Sequence, residues 1–422
     1  MSAHALVSTI DVMRLLVVSQ YFWPEDFRIN DFVVGMRERG CEVTVLTGWP
    51  NYPDGQVFED FRRNPGAFSR FGDVDVVRVP MIARGSNAIT LILNYLTFAL
   101  SASMLGAWKL RGQSYDAIFV FQISPVTAVL PALLLRRLKH APVLTWVLDL
   151  WPETLEAVGV IRSRRVLSVV GMLVHFIYRR CDRILIQSEA FMDSVLAYGG
   201  RRERTLFFPN WIEPTFEAGL EGVTPAPELA PFAGTFNVMF TGNIGEAQDM
   251  PALVEAALAT QDLDNLRWLI VGEGRGSHGL RAAIVRHRLE DRVVLLGRHP
   301  VARMPAFLVG AHALLVSLRA EPVFMKTVPG KLQNYMAAGK PVLGMIDGEA
   351  ARVIVESGGG LASPASDGAA LAVNVRSLMA ATGAKRDAMG RAARTYALRH
   401  FHRRRLFDAF VDWAREANRD FR

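Results

Sequence analysis

The feature that most constrains the fold is a regular alternation of short apolar runs with longer segments of helical periodicity. The short runs are rich in β-branched residues, as is typical of strands that are buried on both faces of a parallel sheet. The longer segments repeat their apolar residues at the spacing of one helix face. Together these patterns predict βαβ units, and therefore an α/β fold in which helices cover parallel sheets.

The predicted strands form two groups of six. The first group consists of Leu15–Ser19, Glu42–Thr47, Val74–Val79, Ala117–Phe121, Val143–Val147 and Arg183–Ile186. The second group consists of Phe236–Phe240, Arg267–Val271, Val293–Leu296, Ala313–Val316, Pro341–Gly344 and Gly360–Ala362. Because the chain of 422 residues is too long for one core and the pattern restarts halfway, we predict two doubly wound domains.

The segment between the two groups sets the predicted domain boundary. Residues 209–235 are dense in Pro, Gly and Glu and have neither strand nor helix periodicity, which predicts a linker. The N-terminal domain then covers residues 13–208, and the C-terminal domain covers residues 236–400. Residues 401–422 place aromatic and aliphatic side chains on one helical stripe, which predicts a closing helix that packs back towards the N-terminal domain.

The beginning of the chain and its cysteines bear on the compartment. Residues 1–12 lack a basic start and a small-residue cleavage site ahead of a long apolar core, so they do not match a secretory signal. We expect a disordered extension or a misplaced start, to which no function is assigned, and a protein that stays in the cytoplasm. Cys41 and Cys181 are too few for a disulfide framework or a four-thiolate metal site. This count fits a reducing compartment or indifference to redox conditions.

The positive charge of the chain is concentrated in one stretch. Residues 84–183 contain 12 Lys and Arg against 5 Asp and Glu, and this difference of +7 equals the net charge of the whole chain. The stretch also contains the most apolar segment of the sequence. Cations beside apolar faces favour an anionic membrane surface as a neighbour. The alternative is an ordinary solvated face rich in arginine, since 42 of the 48 basic residues are Arg.

Residues 85–108 carry no charge and must be tested as a membrane span. Thr90, Asn94, Thr97 and Ser101 recur at spacings of four, three and four residues, which places them on one stripe of a helix. A polar stripe favours a helix that packs in a domain. Three interpretations stay open: a helix buried in the core, a helix that lies partly in a bilayer surface, and a true span.

Candidate site residues follow two of the predicted strands in the N-terminal domain, where doubly wound sheets bind their ligands. Glu25, Asp26 and Arg28 lie at the entrance of a helix, whose N–H groups favour anions, although Asp26 alternatively only starts that helix. Asp149 ends an apolar strand and Glu153 follows it. A carboxylate at the position of Asp149 can orient a hydroxyl nucleophile, and a helix N-cap is the alternative role.

In the C-terminal domain, glycines follow the first two predicted strands. Gly242 and Asn243 follow the first strand, and Gly272 and Glu273 follow the second. Glycines permit the backbone to approach a phosphate closely. The first of these turns is therefore a candidate for binding a phosphorylated ligand.

The densest cluster of suggestive residues is the segment 317–344. Gly330 and Lys331 open a helix directly after Pro329, and Lys326 precedes them in a polar loop. In a chain with only six lysines, a lysine at a helix start is a candidate phosphate contact. The structural alternative explains the proline and the glycine but not the lysine.

Residues 274–279 read GRGSHG and match the dinucleotide fingerprint letter for letter. The next strand, however, ends in Arg298 and His299 instead of the acidic residue that would hold a ribose. We therefore do not expect NAD to bind here. We expect no cofactor, and no nucleic acid among the partners.

Carboxylate pairs of the kind used by metal-dependent sugar transferases occur twice, as Asp73 with Asp75 and as Asp262 with Asp264. The first pair precedes its strand and the second lies in a surface turn, so both are expected to be solvated. The sequence has no His-Glu metal pair at helical spacing. We therefore expect no metal.

Several motifs together resemble those of a known family. TGNIG, VGEG, NYMAAGKPVL and the closing helix resemble family 4 of the GT-B glycosyltransferases, over nearly all of residues 13–420. SQYFWPEDFRINDFV, LTGWPNYPDG, SPVTAVLPALLL, DLWPETLEA, PNWIE and the PGK helix start are similar to a narrower group. That group comprises bacterial polysaccharide transferases, including N-acetyl-L-fucosamine transferases of O-antigen synthesis and relatives from colanic acid synthesis.

The resemblance implies two Rossmann-like domains with a cleft between them, in which the second domain holds a nucleotide-sugar and the first holds an acceptor. It implies metal-independent transfer with retention of configuration, in which catalysis rests on stabilising the leaving diphosphate. It implies catalytic roles for Asp149, Arg28 and Lys331. It implies that the substrates contact Gly242, Asn243, Gly272, Glu273, Arg298, His299, Lys326, Gly330, Asn334, Glu25 and Glu153.

The sequence departs from the wider family at its most typical positions. Two glutamates spaced eight residues apart are replaced by Lys326 and Asn334, so Asn334 would have to serve the ribose. The Arg and Lys that many members carry after the TG turn are missing, and the usual glycine pair of the first loop is replaced by EDFR. Lys331 and Arg28 would then have to supply the positive charge. We interpret this as an altered site and not a dead one.

The sequence therefore predicts a retaining glycosyltransferase of surface polysaccharide synthesis. It would move an N-acetylated deoxysugar such as L-FucNAc from a UDP-sugar to a polyprenyl-linked saccharide, at the cytoplasmic face of the membrane. One alternative is a UDP-sugar 2-epimerase of the same fold, which would need no acceptor. Another is a non-catalytic subunit that binds a nucleotide-sugar, which the missing glutamates suggest.

Overall fold

The computed structural model describes residues 12–421, apart from residues 86, 158, 160 and 162 and the side chain of Ala88. Almost all of the predicted N-terminal extension lies outside these residues. The described residues form fourteen strands in two sheets. The first sheet contains β1 (Arg14–Ser19), β2 (Glu42–Gly48), β3 (Arg70–Phe71), β4 (Val74–Val79), β5 (Ala117–Gln122), β6 (Val143–Val147), β7 (Arg183–Ile186) and β8 (Thr205–Phe207). The second sheet contains β9 (Phe236–Thr241), β10 (Leu266–Val271), β11 (Val293–Gly297), β12 (Ala313–Ser317), β13 (Val342–Met345) and β14 (Gly360–Ser363).

Helices connect these strands in both halves of the chain. The helices up to β9 are α1 (Arg28–Arg37), α2 (Glu59–Arg63), α3 (Ala88–Ser101), α4 (Ala107–Lys109), α5 (Val129–Lys139), α6 (Glu153–Ala157), α7 (Arg164–Tyr178), α8 (Met192–Ala197) and α9 (Pro214–Glu217). Those after β9 are α10 (Met250–Ala259), α11 (Ser277–Arg286), α12 (Met304–Leu308), α13 (Pro322–Met325), α14 (Gly330–Ala337), α15 (Gly348–Glu356), α16 (Gly368–Ala380), α17 (Gly383–His400) and α18 (Arg403–Phe421). A π-helical turn, Ala102–Gly106, joins α3 to α4.

Both sheets have the strand order of a doubly wound fold, as predicted. The orders are β3-β4-β2-β1-β5-β6-β7-β8 and β11-β10-β9-β12-β13-β14. All neighbouring strands are parallel except β3, which pairs antiparallel with β4. The chain direction along the sheet reverses between β1 and β5 and again between β9 and β12. Ligands of such sheets bind beyond the carboxyl ends of the strands at this reversal.

All twelve predicted strands are present, but the first sheet has two more. β3 is a two-residue hairpin partner of β4, and β8 is three residues long and follows a 3-10 turn. Neither strand is long enough to show a hydrophobic period in the sequence, which is why the prediction missed both.

The chain divides into two compact units. Unit 1 contains the residues up to Gln187, Met192–Phe208 and the residues from Phe407 onwards. Unit 2 contains Ser188–Phe191 and Pro209–Leu406. The predicted closing helix corresponds to α18, and its residues from Phe407 belong to unit 1.

The predicted linker, residues 209–235, is in fact part of the body of unit 2. Ile212, Phe216 and Leu229 are buried in the core of that unit. The segment consists of the short helix α9 and a 3-10 helix, Pro227–Phe232, so its apolar residues have no regular spacing. For this reason the sequence predicted a linker, although the segment packs in the hydrophobic core of unit 2.

The uncharged segment forms a helix over Ile89–Lys109 that is long and apolar enough to cross a membrane by length and composition. Its most apolar window of 18 residues has a mean hydropathy of 1.6, and 33% of that window is buried. Its polar stripe faces unit 1. Asn94 is fully buried, and its Nδ2 donates to Ile82 O at 2.6 Å while its Oδ1 accepts from Gln20 Nε2 at 2.7 Å. The polar side of the helix is thus the side that packs on the unit.

An aromatic cluster fixes α18 in unit 1, and its removal should destabilise that unit. The ring of Phe410 is fully buried and lies 4.8 Å from Phe32 and 4.9 Å from Phe119, measured between centroids. We expect Phe410→Ala to lower the free energy of unfolding by about 3–5 kcal/mol, because it leaves a cavity among these rings. Urea denaturation followed by circular dichroism measures this change. The exposed Val373→Ala is the control, expected to change it by less than about 0.5 kcal/mol; equal effects of the two substitutions would contradict the assignment.

Candidate active site

Loops of unit 2 meet at the carboxyl edge of the second sheet, because their strands are neighbours in the order β11-β10-β9-β12. Gly242 N donates to Val271 O at 2.9 Å, and Gly272 N donates to Gly297 O at 2.7 Å, so the ends of β9, β10 and β11 are joined directly. The structure therefore brings together the predicted residues Gly242, Gly272, Arg298 and Lys331.

The two glycines are required by close approach of the backbone. Gly242 has φ of +121° and Gly272 has φ of +149°, a region that side chains disfavour. A Cβ on Gly272 would lie 1.9 Å from Gly242 O. A Cβ on Gly242 would lie 3.3 Å from Lys331 Nζ. Only glycines permit these two turns to meet beside the lysine.

Lys331 is the most unusual residue of this edge. It is the second residue of α14, and its Nζ lies 3.6 Å from the centroid of the Phe240 ring. The Nζ atom is shielded from solvent and has no hydrogen-bond partner among the described residues. Burial lowers the pKa of Lys331 to about 7. An ammonium in this position lacks a counter-charge, which an anion at the start of α14 would supply.

Tyr335 supports the edge and was not predicted. It lies one helical turn after Lys331, its hydroxyl accepts a hydrogen bond from Thr241 N at 2.7 Å, and it lies 3.0 Å from Thr241 Oγ1. Burial raises the pKa of Tyr335 to about 12. The spacing of four residues from Lys331 was a signal in the sequence, since it puts both side chains on one face of α14.

Three other predicted residues of unit 2 bind protein groups. Asn334 Oδ1 accepts from Glu213 N at 3.0 Å, so it holds the segment before α9. Glu273 pairs with Arg281 at 2.6 Å. Lys326 is the half-buried C-cap residue of α13. Asn334 and Glu273 are thus partly committed to the fold.

The loop after β11 contains two predicted residues, Arg298 and His299, of which only Arg298 has an exposed side chain. His299 Nε2 donates to Leu296 O at 2.9 Å, its Nδ1 accepts from Arg303 at 2.8 Å, and its ring packs on Phe307. Both ring nitrogens are therefore engaged by the protein. The side chain of Arg298, in contrast, is exposed at the edge of the sheet.

In unit 1, Glu25 ties two loops together. Its Oε1 accepts from Asn51 N and from Tyr52 N, each at 2.8 Å, and its Oε2 accepts from Phe22 N at 3.1 Å. Burial raises the pKa of Glu25 to about 7, although the three N–H donors act in the opposite direction. Because the carboxylate is buried and fully engaged, Glu25 positions the loops, and its predicted contact with a substrate stays a prediction.

Asp149 follows β6 at the carboxyl edge of the first sheet, and burial raises its pKa to about 7. Tyr95 of α3 lies within electrostatic reach. Burial raises the pKa of Tyr95 and the charge of Asp149 adds to that effect, whereas a hydrogen bond to Ser124 and the charge of Arg84 oppose it. The sequence did not point to Tyr95 or Arg84, because they lie in and beside the segment that was tested as a membrane helix.

The two remaining predicted residues open helices at this edge. Arg28 is the first residue of α1 and is half-buried. Glu153 is the first residue of α6, and its Oε2 is shielded from solvent without a hydrogen-bond partner among the described residues. Its charge raises the pKa of the nearby Tyr198, where burial is the larger cause. Asp149 and Glu153 are thus two shielded carboxylates that lie four residues apart in the sequence.

The carboxylate pairs that could have suggested a metal are exposed and bound to arginines. Asp73 pairs with Arg37, and Asp75 lies 3.7 Å from Arg70. In the second pair, Asp264 lies 2.7 Å from Arg292 and Asp262 pairs with Arg376. These ion pairs belong to the surface of their units.

Comparisons with known proteins agree with this architecture. Residues 27–211 match the family described as glycosyl transferase 4-like domain, and residues 235–381 match the family described as glycosyl transferases group 1. The crystal structure of HepE from Anabaena in complex with UDP superimposes with a TM-score of 0.68 at 16% identity, covering 95% of this chain and 99% of HepE. The protein is a glycosyltransferase of the GT-B fold.

Two further proteins place this glycosyltransferase among its relatives. WcaI of Escherichia coli (strain K12), provisionally named a colanic acid biosynthesis glycosyl transferase, is 25% identical over 347 residues, or 78% of this chain and 82% of WcaI. An α,α-trehalose-phosphate synthase (UDP-forming) from Burkholderia vietnamiensis gives a TM-score of 0.71 at 17% identity, covering 96% of this chain and 97% of the synthase.

The buried ammonium of Lys331 should make stability depend on pH. The pKa of Lys331 is about 7 in the folded protein against 10.5 ordinarily, so unfolding takes up a proton between these values and the wild type gains stability as pH rises through this window. We expect Lys331→Met to raise the melting temperature most at pH 7, and the gain to shrink towards pH 10. Differential scanning fluorimetry at several pH values measures this. The exposed Lys385→Met is the control; a constant gain for Lys331→Met would contradict the buried charge.

Proposed function

We propose that this glycosyltransferase moves a sugar from a UDP-sugar to a polyprenyl-linked saccharide in the synthesis of a surface polysaccharide. Transfer proceeds with retention of configuration and without a metal ion. The observation that carries the proposal is the ammonium of Lys331, which is shielded, unpaired among the described residues and placed at a helix start beside Gly242. A diphosphate is the ligand that this combination fits best.

The donor half of the proposal rests on unit 2. The diphosphate contacts the N–H groups at the start of α14, the Gly242–Asn243 turn and Lys331, while Arg298 to Pro300 contact the base. Departure of UDP places negative charge on the diphosphate, and a preorganised ammonium and helix start stabilise that charge without reorganisation. HepE, which shares the fold, was solved with UDP, and this supports uracil as the base.

The acceptor half rests on unit 1. Asp149 accepts a hydrogen bond from the acceptor hydroxyl and orients it, and Arg28 contributes positive charge at the start of α1. Asp149 performs this role in its ionised form, because a protonated carboxyl would compete as a donor. The Asp149 pKa of about 7 therefore couples the reaction to pH in the neutral range.

The nature of the substrates rests on the motifs and on a relative. The match to WcaI, which bears a name from colanic acid biosynthesis, supports a role in polysaccharide synthesis. The DLWPE and N-terminal motifs resemble those of N-acetyl-L-fucosamine transferases, and this resemblance favours an N-acetylated deoxysugar as the donor sugar. The basic and apolar stretch 84–183 supports an acceptor that is anchored in the cytoplasmic face of the membrane.

Binding of the donor nucleotide can be tested directly. We expect UDP to raise the melting temperature of the purified protein without magnesium, because a ligand that binds the native state stabilises it by mass action. NAD should give no shift. Lys331→Met should abolish most of the UDP shift, and the control Lys385→Met should retain it. Stabilisation by NAD and not by UDP would overturn the proposed function.

The role of Asp149 predicts a pH profile. We expect kcat of the wild type to rise with pH around pH 7, because Asp149 ionises there. In the substrate complex the diphosphate beside Lys331 favours its charged form, so Lys331 keeps its proton through this range. Asp149→Asn should lower kcat by about 100-fold or more and flatten this rise, with the UDP shift unchanged. Turnover of UDP-aminosugars with a polyprenyl-linked acceptor measures these values.

The exposed Asp60→Asn, on α2 of the same unit, is the matched control and should keep the wild-type profile. A wild-type profile for Asp149→Asn would exclude Asp149 from catalysis. Conversion of the UDP-sugar in the absence of acceptor would favour an epimerase instead.

A further inference from the structure

Three neighbouring helices of unit 1 present an apolar outer surface: α3 with the π-helical turn and α4, then α5, then α7. We propose that this surface, which we call the three-helix face, docks on an anionic lipid bilayer and inserts its side chains into the leaflet. The inference deepens the proposed function, since it rests on that function for the reason why the enzyme must approach a membrane. The docking itself is argued from the face alone.

Large apolar side chains are exposed along all three helices. On the first helix Ile89, Leu100 and Met104 are 72%, 62% and 71% exposed, and on α7 Met172 is 63% exposed. The other exposed members of the face are Ile92, Leu93, Leu96, Leu105, Trp108, Leu134, Leu138, Val166, Val169 and Phe176. Because α5 packs against both of the other helices, these side chains form one continuous patch. Patches of this extent mark interaction surfaces.

The helix formed by α3, the π-helical turn and α4 differs from an ordinary surface helix in which of its side chains face the unit. Its polar residues face the unit: Asn94 is buried against Gln20 and Ile82, and Thr97 Oγ1 accepts from Ile82 N at 3.0 Å. Phe98, Ala99 and Ala102 are buried beside them, whereas the large side chains of Ile89, Leu100 and Met104 face outwards. In water this arrangement is unfavourable, since a soluble helix buries its apolar stripe. In an acyl-chain environment it is the favourable arrangement.

The charge of the face identifies the occupant. None of the three helices contains an Asp or a Glu. Their ends and flanks carry exposed arginines at Arg137, Arg164, Arg165, Arg179 and Arg180. A second copy of the same face would bring like charges together, whereas anionic phospholipids complement them. Two carboxylates, Glu153 and Glu156, lie beside Arg164 and Met172 at one margin, and the arginines outnumber them. An apolar centre with a predominantly cationic border is typical of a protein that lies in a membrane interface.

A hollow at the end of α7 adds a site for a lipid phosphate. It measures about 470 Å³ and is lined by Met172, His175, Phe176, Arg179 and Arg180. Arg180 stacks at 3.7 Å over the ring of Phe176 and so stands at the border between apolar wall and solvent. The lining combines hydrocarbon with cations and contains no carboxylate, which suits a phosphate with an acyl chain attached.

Sedimentation of the full-length protein with vesicles tests the proposal. We expect binding to phosphatidylcholine vesicles that contain phosphatidylglycerol, and weaker binding to phosphatidylcholine alone or at high salt. The double variant Leu100→Glu, Met104→Glu should reduce binding about tenfold or more, because it places carboxylates where the face meets acyl chains. Met172→Glu should act in the same direction.

The controls use equally exposed positions elsewhere. Val373 is 65% exposed on α16 of unit 2, and Val373→Glu should bind vesicles like the wild type. Arg179→Gln with Arg180→Gln should weaken binding to phosphatidylglycerol vesicles, whereas Arg286→Gln on α11 should not. All variants replace exposed side chains and should keep the wild-type melting temperature and UDP shift.

Failure of the wild type to sediment with anionic vesicles would overturn the proposal, and so would wild-type binding by Leu100→Glu, Met104→Glu. Light scattering tests the alternative that a second copy of the chain occupies the face. If the wild type is a dimer and this double variant is a monomer, the face joins two copies of the chain and the proposal is wrong. Vesicle binding with no UDP shift would instead overturn the proposed function and leave the docking surface intact.

Discussion

Parallel strand pairing is the constraint on which the rest of this structure depends. Parallel strands of a sheet run in the same direction, so in each unit all strands except the short antiparallel β3 have their carboxyl ends at one edge. This alignment brings the distant residues Gly242, Gly272 and Lys331 beside one another. Hydrogen bonds between the strand ends, such as that from Gly272 N to Gly297 O, then fix the loops at that edge. The common direction of the strands thus determines which residues lie together at the candidate site.

Each unit contains an ionisable side chain whose charged form is disfavoured because the group is shielded from water. Burial brings Lys331 of unit 2 and Asp149 of unit 1 to pKa values of about 7 from opposite directions. Each group costs folding free energy in proportion to its shift, and doubly wound units of this size can offset that cost through their large cores. Perturbed groups of this kind are typical of functional sites. Glu25 differs, because three backbone donors already use its carboxylate.

The sequence predicted the fold better than the site, for physical reasons. Strands that are buried on both faces contain few polar residues, so they appear in the sequence as runs of β-branched and other apolar residues. For this reason all twelve of the longer strands could be predicted. The two-residue strand β3 and the 3-10 segment around Leu229 leave no such period. Lys331 was predicted because it is a rare residue at a helix start, and its contact with a phosphate stays a prediction. Tyr95 and the double engagement of His299 could not be found, since both depend on how distant segments pack.

The tie between Tyr335 and Thr241 has a consequence for how α14 can change in evolution. Lys331 and Tyr335 are separated by one turn, so the hydroxyl that fixes the helix on β9 also fixes the direction of the ammonium. Removing one residue between them would rotate one side chain against the other by about 100° and shift it by about 1.5 Å. The number of residues between the two is therefore fixed by the pitch of the helix, apart from the contacts that those residues make themselves. In this helix geometry constrains the length of a short segment separately from the identity of its residues.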